Sequence, residues 1–209
     1  SLDKAGPICR SAEDAAIVFA AINGTDGNDA GAVKHAFNYT GKLDWTKARI
    51  AYADNYFKRL PADAAEWKVL DVYRSLGATL KPVTFPDSTL YPVNYISIIL
   101  NAESAAAFDE LTRTNRDDLI ERQDKGFWPN SFRVGQTIPA VAYINANRYR
   151  YNLCKGLNDF MKNYDLVIVP NFVGRQLAMT NLTGHPVVCM PVGFNKTGSP
   201  VGISLIGNL

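Results

Sequence analysis

Three short apolar runs near the end of the chain place the strongest constraint on its fold. They read "YDLVIVPN" at 164–171, "VVCMPVGF" at 187–194 and "VGISLIG" at 201–207. Polar residues do not alternate with the apolar ones, which is the pattern of strands covered on both faces. Pro186 and Pro191 bracket Val187–Met190, and neither ring offers an N–H to a neighbouring strand. The pattern predicts core strands within residues 166–207.

A strand, a helix and a second strand are predicted between residues 48 and 86. The first strand lies at 49–53, helical spacing follows until Gly77, and a second strand runs over 79–85. The residues predicted to form the apolar face of this helix are Ala65, Val69, Val72, Tyr73 and Leu76. Two strands joined through a helix form a βαβ unit, so these strands are expected to be parallel.

Further helices are predicted at three places along the chain. Ser11 can cap a helix whose apolar face carries Ala15, Val18, Phe19 and Ile22. Residues 91–125 have helical spacing, and a long helix at 138–163 has a stripe predicted to be core, formed by Tyr149, Leu153, Leu157, Phe160 and Tyr164. Strands and helices in this order predict one α/β domain over residues 1–209, with a mixed sheet flanked by helices.

The composition excludes several classes of partner. The 209 residues are 47% hydrophobic and 20% charged with a net charge of +2, so no basic excess predicts nucleic-acid binding. The apolar stretches are too short to cross a membrane, which needs roughly 20 residues. A small molecule is therefore the expected partner.

Cysteine and acidic residues give no sign of a disulfide framework or a metal site. Cys9, Cys154 and Cys189 stand far apart and are expected to be reduced and buried, which favours a cytoplasmic location. Asp26 and Asp29 lie in a Gly- and Asn-containing loop without the spacing of a calcium site, so a solvated turn is predicted there. No metal and no cofactor are predicted.

Common catalytic motifs are absent from the sequence. It contains no GxSxG elbow, no HExxH pair and no phosphate-binding glycine loop, and His35 and His185 have no partner pattern. His185, in a Gly-His-Pro turn, is interpreted as a structural residue. Phe127, Trp128 and Phe132 cluster in "GFWPNSFRVG", predicted to be a loop or short helix. Their rings either line a pocket or pack onto the domain.

The order of the segments resembles the amidase signature family, whose members are serine-dependent amide hydrolases. The segments that carry the resemblance are "SLDKAGPICRSAEDAAIVFAAING" at the start, "RIAYADNYF" followed by "LGATLKPVTFP", and "YDLVIVPNF" followed by "NLTGHPVVCMPVGFNKTGSPVGISLIG". The resemblance is loosest at 86–136 and most specific at 164–207. It implies an amidase signature fold and a small-molecule amide substrate.

The chain departs from the family pattern in its catalytic residues. The family uses a Lys, a bridging Ser and a nucleophilic Ser, all of which precede the segment that begins "SLDKAGP". The resemblance therefore implies that this chain is the C-terminal portion of one amidase domain and has an incomplete fold. The expected partner is the missing N-terminal half, and the chain alone is expected to be inactive. No residue of the chain is assigned a catalytic role.

The resemblance also suggests which residues line the site. Corners at Gly184–Pro186 and Pro191–Gly193 would end core strands beside it, and Asn181 is predicted as a buried polar contact that supports the catalytic loop. With Phe127 and Trp128, Asn181 completes the predicted substrate-binding residues. If the chain is part of a larger sheet, a strand within 166–207 is expected to have an open edge. The alternative function is a non-catalytic α/β module that binds a small molecule through the aromatic cluster.

Overall fold

The computed structural model describes residues 1–28, 32, 35–86 and 93–209, which divide into two compact units, Ser1–Asp44 and Trp45–Leu209. In the first unit, helix α1 spans Ala12–Ile22. The Oγ of Ser11 caps it by accepting a hydrogen bond of 3.0 Å from the Asp14 N–H, as predicted. No residue of α1 is buried, so its apolar face is not covered by the described residues.

A mixed five-stranded sheet forms the centre of the second unit. Its strands are β1 Ile50–Ala53, β2 Leu80–Val83, β3 Leu166–Pro170, β4 Val187–Phe194 and β5 Pro200–Gly207, in the spatial order β2-β1-β3-β5-β4. β1 is parallel to both β2 and β3, whereas β5 is antiparallel to both β3 and β4. The mixed α/β sheet predicted from the sequence is confirmed, and its first two strands form a βαβ arrangement with the helix between them.

The helices of this unit are α2 Asp54–Phe57, α3 Ala65–Ser75, α4 Tyr95–Ala107, α5 Asp109–Arg113, a 3-10 turn Arg116–Leu119, α6 Trp128–Gln136, α7 Ala140–Met161 and α8 Gln176–Thr183. The helical region predicted at 91–125 is thus divided into three segments. Its first residue, Tyr91, lies outside the described residues, as does Asp29. Helix α8 is not predicted by the sequence pattern.

Two predicted helix faces differ in detail from the observed ones. In α3 the buried residues are Glu66, Leu70 and Tyr73, while Val72 and Leu76 are about half exposed. The buried face of α3 is therefore rotated about the helix axis relative to the predicted face, because Leu70 packs into the core against the sheet. In α7, Leu153 and Leu157 are buried as predicted, but 45% of Tyr149 is exposed, and its ring stacks on Tyr95 rather than entering the core.

The main core lies between α3 and the sheet. Its buried members are Ile50, Phe57, Leu70, Tyr73, Ala78, Ile168 and Ile203. At the entry to β1 and β3, the Asp165 carboxylate accepts hydrogen bonds from the backbone N–H of Arg49 at 2.8 Å and from its guanidinium at 2.5 Å. This contact between residues far apart in sequence fixes the start of two neighbouring parallel strands.

Strand β4 contradicts the prediction made from its apolar run. Five of its eight residues are exposed, among them Val188 at 54% and Met190 at 40%. The strand also continues through Pro191 to Phe194 with a shift in register between Pro191 and Gly193, so no corner ends it there. Within the described residues, β4 lies at the edge of the sheet, because β5 is the strand on one side of it and no strand pairs with the other side.

Candidate functional site

Four strands of the sheet end at the same edge. β1, β2 and β3 are parallel, and β4 runs in their direction because both β3 and β4 are antiparallel to β5. In α/β proteins, ligands bind in crevices outside the carboxyl ends of the strands. The loops that follow these strands are therefore the expected position of a site, and three of them are held together by side-chain hydrogen bonds.

Asn55, in helix α2 directly after β1, connects this helix to the loop that follows β2. Its Nδ2 donates to the Phe85 carbonyl at 3.1 Å, and its Oδ1 accepts from the Phe85 N–H at 2.9 Å. The Phe85 ring is fully buried. These two hydrogen bonds satisfy both backbone groups of a buried residue, so the path of the loop after β2 depends on a side chain from the helix that follows β1.

The loop after β3 packs closely against the Tyr56 ring. Gly174 has φ +72°, and a Cβ at this position would lie 2.2 Å from the Tyr56 ring. The Arg175 N–H donates to the Tyr56 hydroxyl at 3.3 Å. In the same loop, Phe172 has φ +60° with a 97% exposed side chain. A left-handed non-glycine residue costs roughly 1 kcal/mol or more, and such strain clusters at functional sites.

A row of polar side chains crosses the sheet from β3 to β4. The Asn171 N–H donates to the Gly202 carbonyl at 2.9 Å, and the Ser204 hydroxyl donates to Asn171 Oδ1 at 2.5 Å. Cys189 Sγ lies 3.4 Å from the Ser204 Oγ. The predicted burial of the cysteines is wrong for Cys189, which lies on the edge strand, and for Cys9, because both are exposed. Because the Ser204 hydroxyl donates to an amide oxygen rather than to a base, this serine is fixed in place and is not activated as a nucleophile.

Arg175 brings a positive charge to this end of the sheet. Its side chain is exposed, and one guanidinium nitrogen donates to Asn94 Oδ1 at 2.8 Å, at the start of α4. Together with the polar row, the guanidinium offers hydrogen bonds to a polar ligand.

Sequence reasoning missed Asn171, Ser204 and Arg175. The signal that could have found one of them is the position of Asn171 immediately after a buried strand.

A family model described as Amidase matches residues 1–209. The chain belongs to the amidase signature family. A glutamyl-tRNA(Gln) amidotransferase subunit from Prosthecochloris aestuarii is 26% identical, over 100% of this chain and 53% of that protein. The corresponding protein of Bacillus licheniformis is 30% identical, over 99% and 51%. The chain therefore spans about half the length of these curated relatives.

Solved amidase structures share the fold of this chain. A bacterial aryl acylamidase of the amidase signature family superposes with a TM-score of 0.75 at 19% identity, covering 97% of this chain and 49% of that enzyme. The peptide amidase of Stenotrophomonas maltophilia gives a TM-score of 0.73 at 22% identity, with 97% and 49% covered. The predicted fold, incomplete relative to the family, is confirmed.

In this amidase-family chain, Asn181 lies on helix α8. Its Nδ2 donates to the Leu177 carbonyl, one helical turn earlier, at 2.8 Å, and the side chain is half-buried. The helix ends at Gly184, whose φ of +84° is left-handed. Asn181 therefore bonds to its own helix, and its predicted contact with substrate or with a catalytic loop stays a prediction.

The aromatic cluster forms the beginning of α6. Phe132 is buried and stacks on Phe108 at 4.8 Å between ring centroids, and Trp128 stacks on Phe132 at 5.7 Å with half of its surface exposed. Phe127 lies beneath the Arg122 guanidinium, 3.7 Å from the ring centroid. All three rings are thus engaged in packing, and Trp128 retains an exposed face.

The structure places the predicted site residues on two different pairs of helices. Helix α6, which carries Trp128, packs against α4, whereas α8, which carries Asn181, packs against α7. The described residues contain no cluster of three His, Cys, Asp or Glu side chains that could hold a metal ion. In the same part of the chain, no helix is both long and apolar enough to cross a membrane.

His185 is buried at the opposite end of β4 from this site. Its Nδ1 lies 2.8 Å from the Thr183 hydroxyl, and its Nε2 has no hydrogen-bond partner among the described residues. Burial lowers the pKa of His185, because the charged form loses its hydration. The side chain stabilises the turn between α8 and β4, in agreement with its interpretation as a structural residue.

Proposed function

We propose that residues 1–209 are the C-terminal portion of a single serine-dependent amidase domain that hydrolyses a small-molecule amide. The observation that carries the proposal is the extent of the match: the family model covers the whole chain, yet the chain spans about half of its relatives. The catalytic Ser, Ser and Lys then belong to the other half of the domain. The proposed location of the whole protein is the cytoplasm.

The catalytic chemistry divides between the two halves. A serine from the other half attacks the amide carbon, a lysine acting through the second serine moves its proton, and backbone amides stabilise the oxyanion. This chain supplies the wall at the carboxyl end of the sheet, where Asn171 and Ser204 fix the backbone of the β3 loop. Trp128 offers its exposed ring face to an apolar part of the substrate, and Phe127 and Asn181 are the other proposed substrate-binding residues.

Ammonia release from simple aliphatic and aromatic amides tests this proposal. We expect no turnover by the 209-residue chain, because without a positioned nucleophile no acyl-enzyme forms. The natural polypeptide that carries these residues together with its upstream segment is expected to be faster by several orders of magnitude. Robust hydrolysis by the 209-residue chain alone would contradict the proposal.

An asparagine pair tests the role of Asn181 separately. In the longer polypeptide, Asn181→Ala is expected to lower the hydrolysis rate by about tenfold, as for the loss of one positioning contact. Asn163→Ala is the matched control, because Asn163 donates in the same way to a backbone carbonyl, that of Phe160, but lies beyond the end of α7. Equal rates in the two variants would remove Asn181 from the site and leave the proposed hydrolysis intact.

A further inference from the structure

Phe172, the second residue after β3, combines an exposed ring with an unfavourable backbone conformation. Its φ of +60° is left-handed, and the residue is 97% exposed, more than any other aromatic residue in the described part of the chain. A bulky residue rarely adopts this conformation, because its Cβ crowds the backbone. The ring gains almost no packing in return, so the packing of this unit does not explain a phenylalanine at this position.

Asn115 offers a comparison within the same unit. Among the described residues, Asn115 and Phe172 are the two that have a positive φ without being glycine. Asparagine tolerates the left-handed region, since its short polar side chain can form local hydrogen bonds. Position 115 therefore carries a residue suited to its backbone, whereas position 172 does not. This contrast favours a role for the Phe172 ring outside the packing of the chain.

The loop holds Phe172 in this conformation from both sides. On one side, Asn171 Oδ1 accepts a hydrogen bond of 2.5 Å from the Ser204 hydroxyl. On the other side, Gly174 lies so close to Tyr56 that a Cβ would be 2.2 Å from the ring. Strained residues persist where the surrounding structure fixes them, and they cluster at sites that bind ligands. The backbone of Phe172 is therefore in place before a ligand arrives, which lowers the entropy lost on binding.

The position of Phe172 favours contact with a ligand. Its loop follows β3 at the edge where β1, β2 and β3 all end, and ligands bind α/β sheets in crevices outside this edge. An aromatic ring presents a flat apolar surface, and such rings are common in small-molecule sites. The Phe172 ring therefore suits a ligand that carries an apolar group, and an aromatic group best of all.

We propose that Phe172 determines specificity by contacting the acyl group of amides of aromatic carboxylic acids. This inference rests on the proposed function, in which the chain forms part of an amidase. The contact lies on a part of the substrate that does not react, so it stabilises the bound substrate and the transition state alike. The strain at position 172 is then the cost of presenting an aromatic ring at the edge of the sheet.

Relief of the strain separates a binding role from a packing role. In the 209-residue chain, Phe172→Gly and Phe172→Asn are expected to keep the melting temperature or to raise it by up to about 3 °C, because both new residues fit a positive φ. Asn115→Gly is the control, and little change is expected because asparagine already fits its backbone. A fall in melting temperature in both Phe172 variants would show that the ring packs within the chain and would overturn the proposal.

Hydrolysis of benzamide and acetamide by the longer natural polypeptide tests the specificity. Phe172→Gly and Phe172→Asn are expected to lower kcat/KM for benzamide by about 2- to 10-fold, as for the loss of one aromatic contact, and to leave kcat/KM for acetamide nearly unchanged. The loss is expected in KM rather than in kcat, because the ring contacts an unreactive part of the substrate. Phe172→Tyr keeps an aromatic ring and is expected to retain the preference.

Leu119→Ala is the matched control for the removal of an exposed apolar side chain. Leu119 is 84% exposed and ends the 3-10 turn Arg116–Leu119, which is not part of the candidate site. The ratio of kcat/KM for benzamide to kcat/KM for acetamide is expected to stay the same in this variant. An equal fall of the ratio in Leu119→Ala would assign the effect to a general loss of apolar surface and overturn the proposal.

The outcomes separate this inference from the proposed function. If the longer polypeptide hydrolyses both amides and the two Phe172 variants keep its ratio of kcat/KM, the role of Phe172 is overturned and the proposed function stands. If the variants melt at a lower temperature in the longer polypeptide alone, the ring packs against another part of the protein, which also overturns the role. If the unmodified longer polypeptide hydrolyses neither amide, the proposed function is contradicted and the inference fails with it.

Discussion

Strands β3 and β4 have similar apolar sequences but opposite surroundings. β3 reads LVIVP, lies between β1 and β5, and its Val167, Ile168 and Val169 are fully buried. β4 reads VVCMPVGF, pairs with β5 alone among the described residues, and exposes Val188 and Met190. Neither strand carries a charge. The comparison shows that an apolar run indicates a strand suited to burial. Whether the strand is buried depends on the strands and helices that pack beside it in the fold.

The greatest difference in stability is expected between the truncation of an apolar side chain in β3 and the truncation of one in β4. In the 209-residue chain, Ile168→Ala is expected to lower the free energy of unfolding by about 2 to 5 kcal/mol, because it leaves a cavity in the core. Val188→Ala is expected to cost less than about 0.5 kcal/mol, as for other surface changes. Urea unfolding measures both, and equal losses would show that β4 is covered after all.

Strand β5 lies between β3 and β4, and a larger side chain on it tests how closely the three strands pack. A Cβ on Gly202 would lie 2.7 Å from the Met190 carbonyl oxygen and 2.8 Å from Asn171 Nδ2, so β4 or the loop after β3 must shift. Gly202→Ala is expected to cost about 1 to 3 kcal/mol in the free energy of unfolding. Gly126→Ala is the control, because a Cβ there meets no atom within 4 Å. A neutral Gly202→Ala would mean that β5 moves freely between its neighbours.

A smaller loss of folding stability is expected at low pH, through His185 in the turn before β4. Burial lowers the pKa of His185, so the fold favours its neutral form and this contribution to stability is complete above the ordinary pKa of about 6.5. It is lost as the pH falls through the lowered value. We expect the free energy of unfolding to decline between about pH 7.5 and pH 5, and His185→Gln to flatten that decline. An unchanged slope in the variant would assign the decline to other groups.

The smallest effect is expected at the entry to β3. The hydrogen bond from the Arg49 guanidinium, followed by that from its backbone N–H, lowers the pKa of Asp165. The carboxylate form is therefore favoured in the fold, and its contribution is present above the ordinary Asp pKa and lost as the pH falls through the lowered one. Arg49→Met is expected to reduce this acid-dependent loss only slightly, since both side chains are about half exposed. Urea unfolding of both proteins at about pH 3 and pH 6 measures this loss of free energy. A large difference between Arg49→Met and the unmodified chain would show that the ion pair stabilises the fold more than its exposure indicates.

Sequence patterns within a few residues are the most reliable guides to this fold. The Ser11 cap, the burial of Leu153 and Leu157 and the strand around Ile168 follow from such local signals. Helix α8 does not, because "QLAMTNLT" contains Thr and Asn residues of weak helix propensity, which favour a turn between strands. For this reason the pattern predicts no helix at Asn181, whereas its side chain bonds to its own helix.

The residues that shape the candidate site come from distant parts of the chain. Asn55 bonds to Phe85, Gly174 makes room for Tyr56, and Ser204 bonds to Asn171. No spacing in the sequence predicts these pairs, because each depends on which strands become neighbours and in what register. The predicted set of Phe127, Trp128 and Asn181 rests on residue type and family resemblance, which do not specify contacts.

Local hydrophobic patterns and ordered motifs are sufficient to identify the family, the α/β class and the apolar strands at 166–207 from the amino-acid sequence. The folded structure is needed to show that β3 lies inside the sheet and, among the described residues, β4 at its edge, that Pro191 lies within a strand, and that Asn171 and Ser204 form a hydrogen bond. The physical reason is that burial and strand order depend on long-range packing, in which each apolar strand is covered only by the neighbours that the folded chain places beside it.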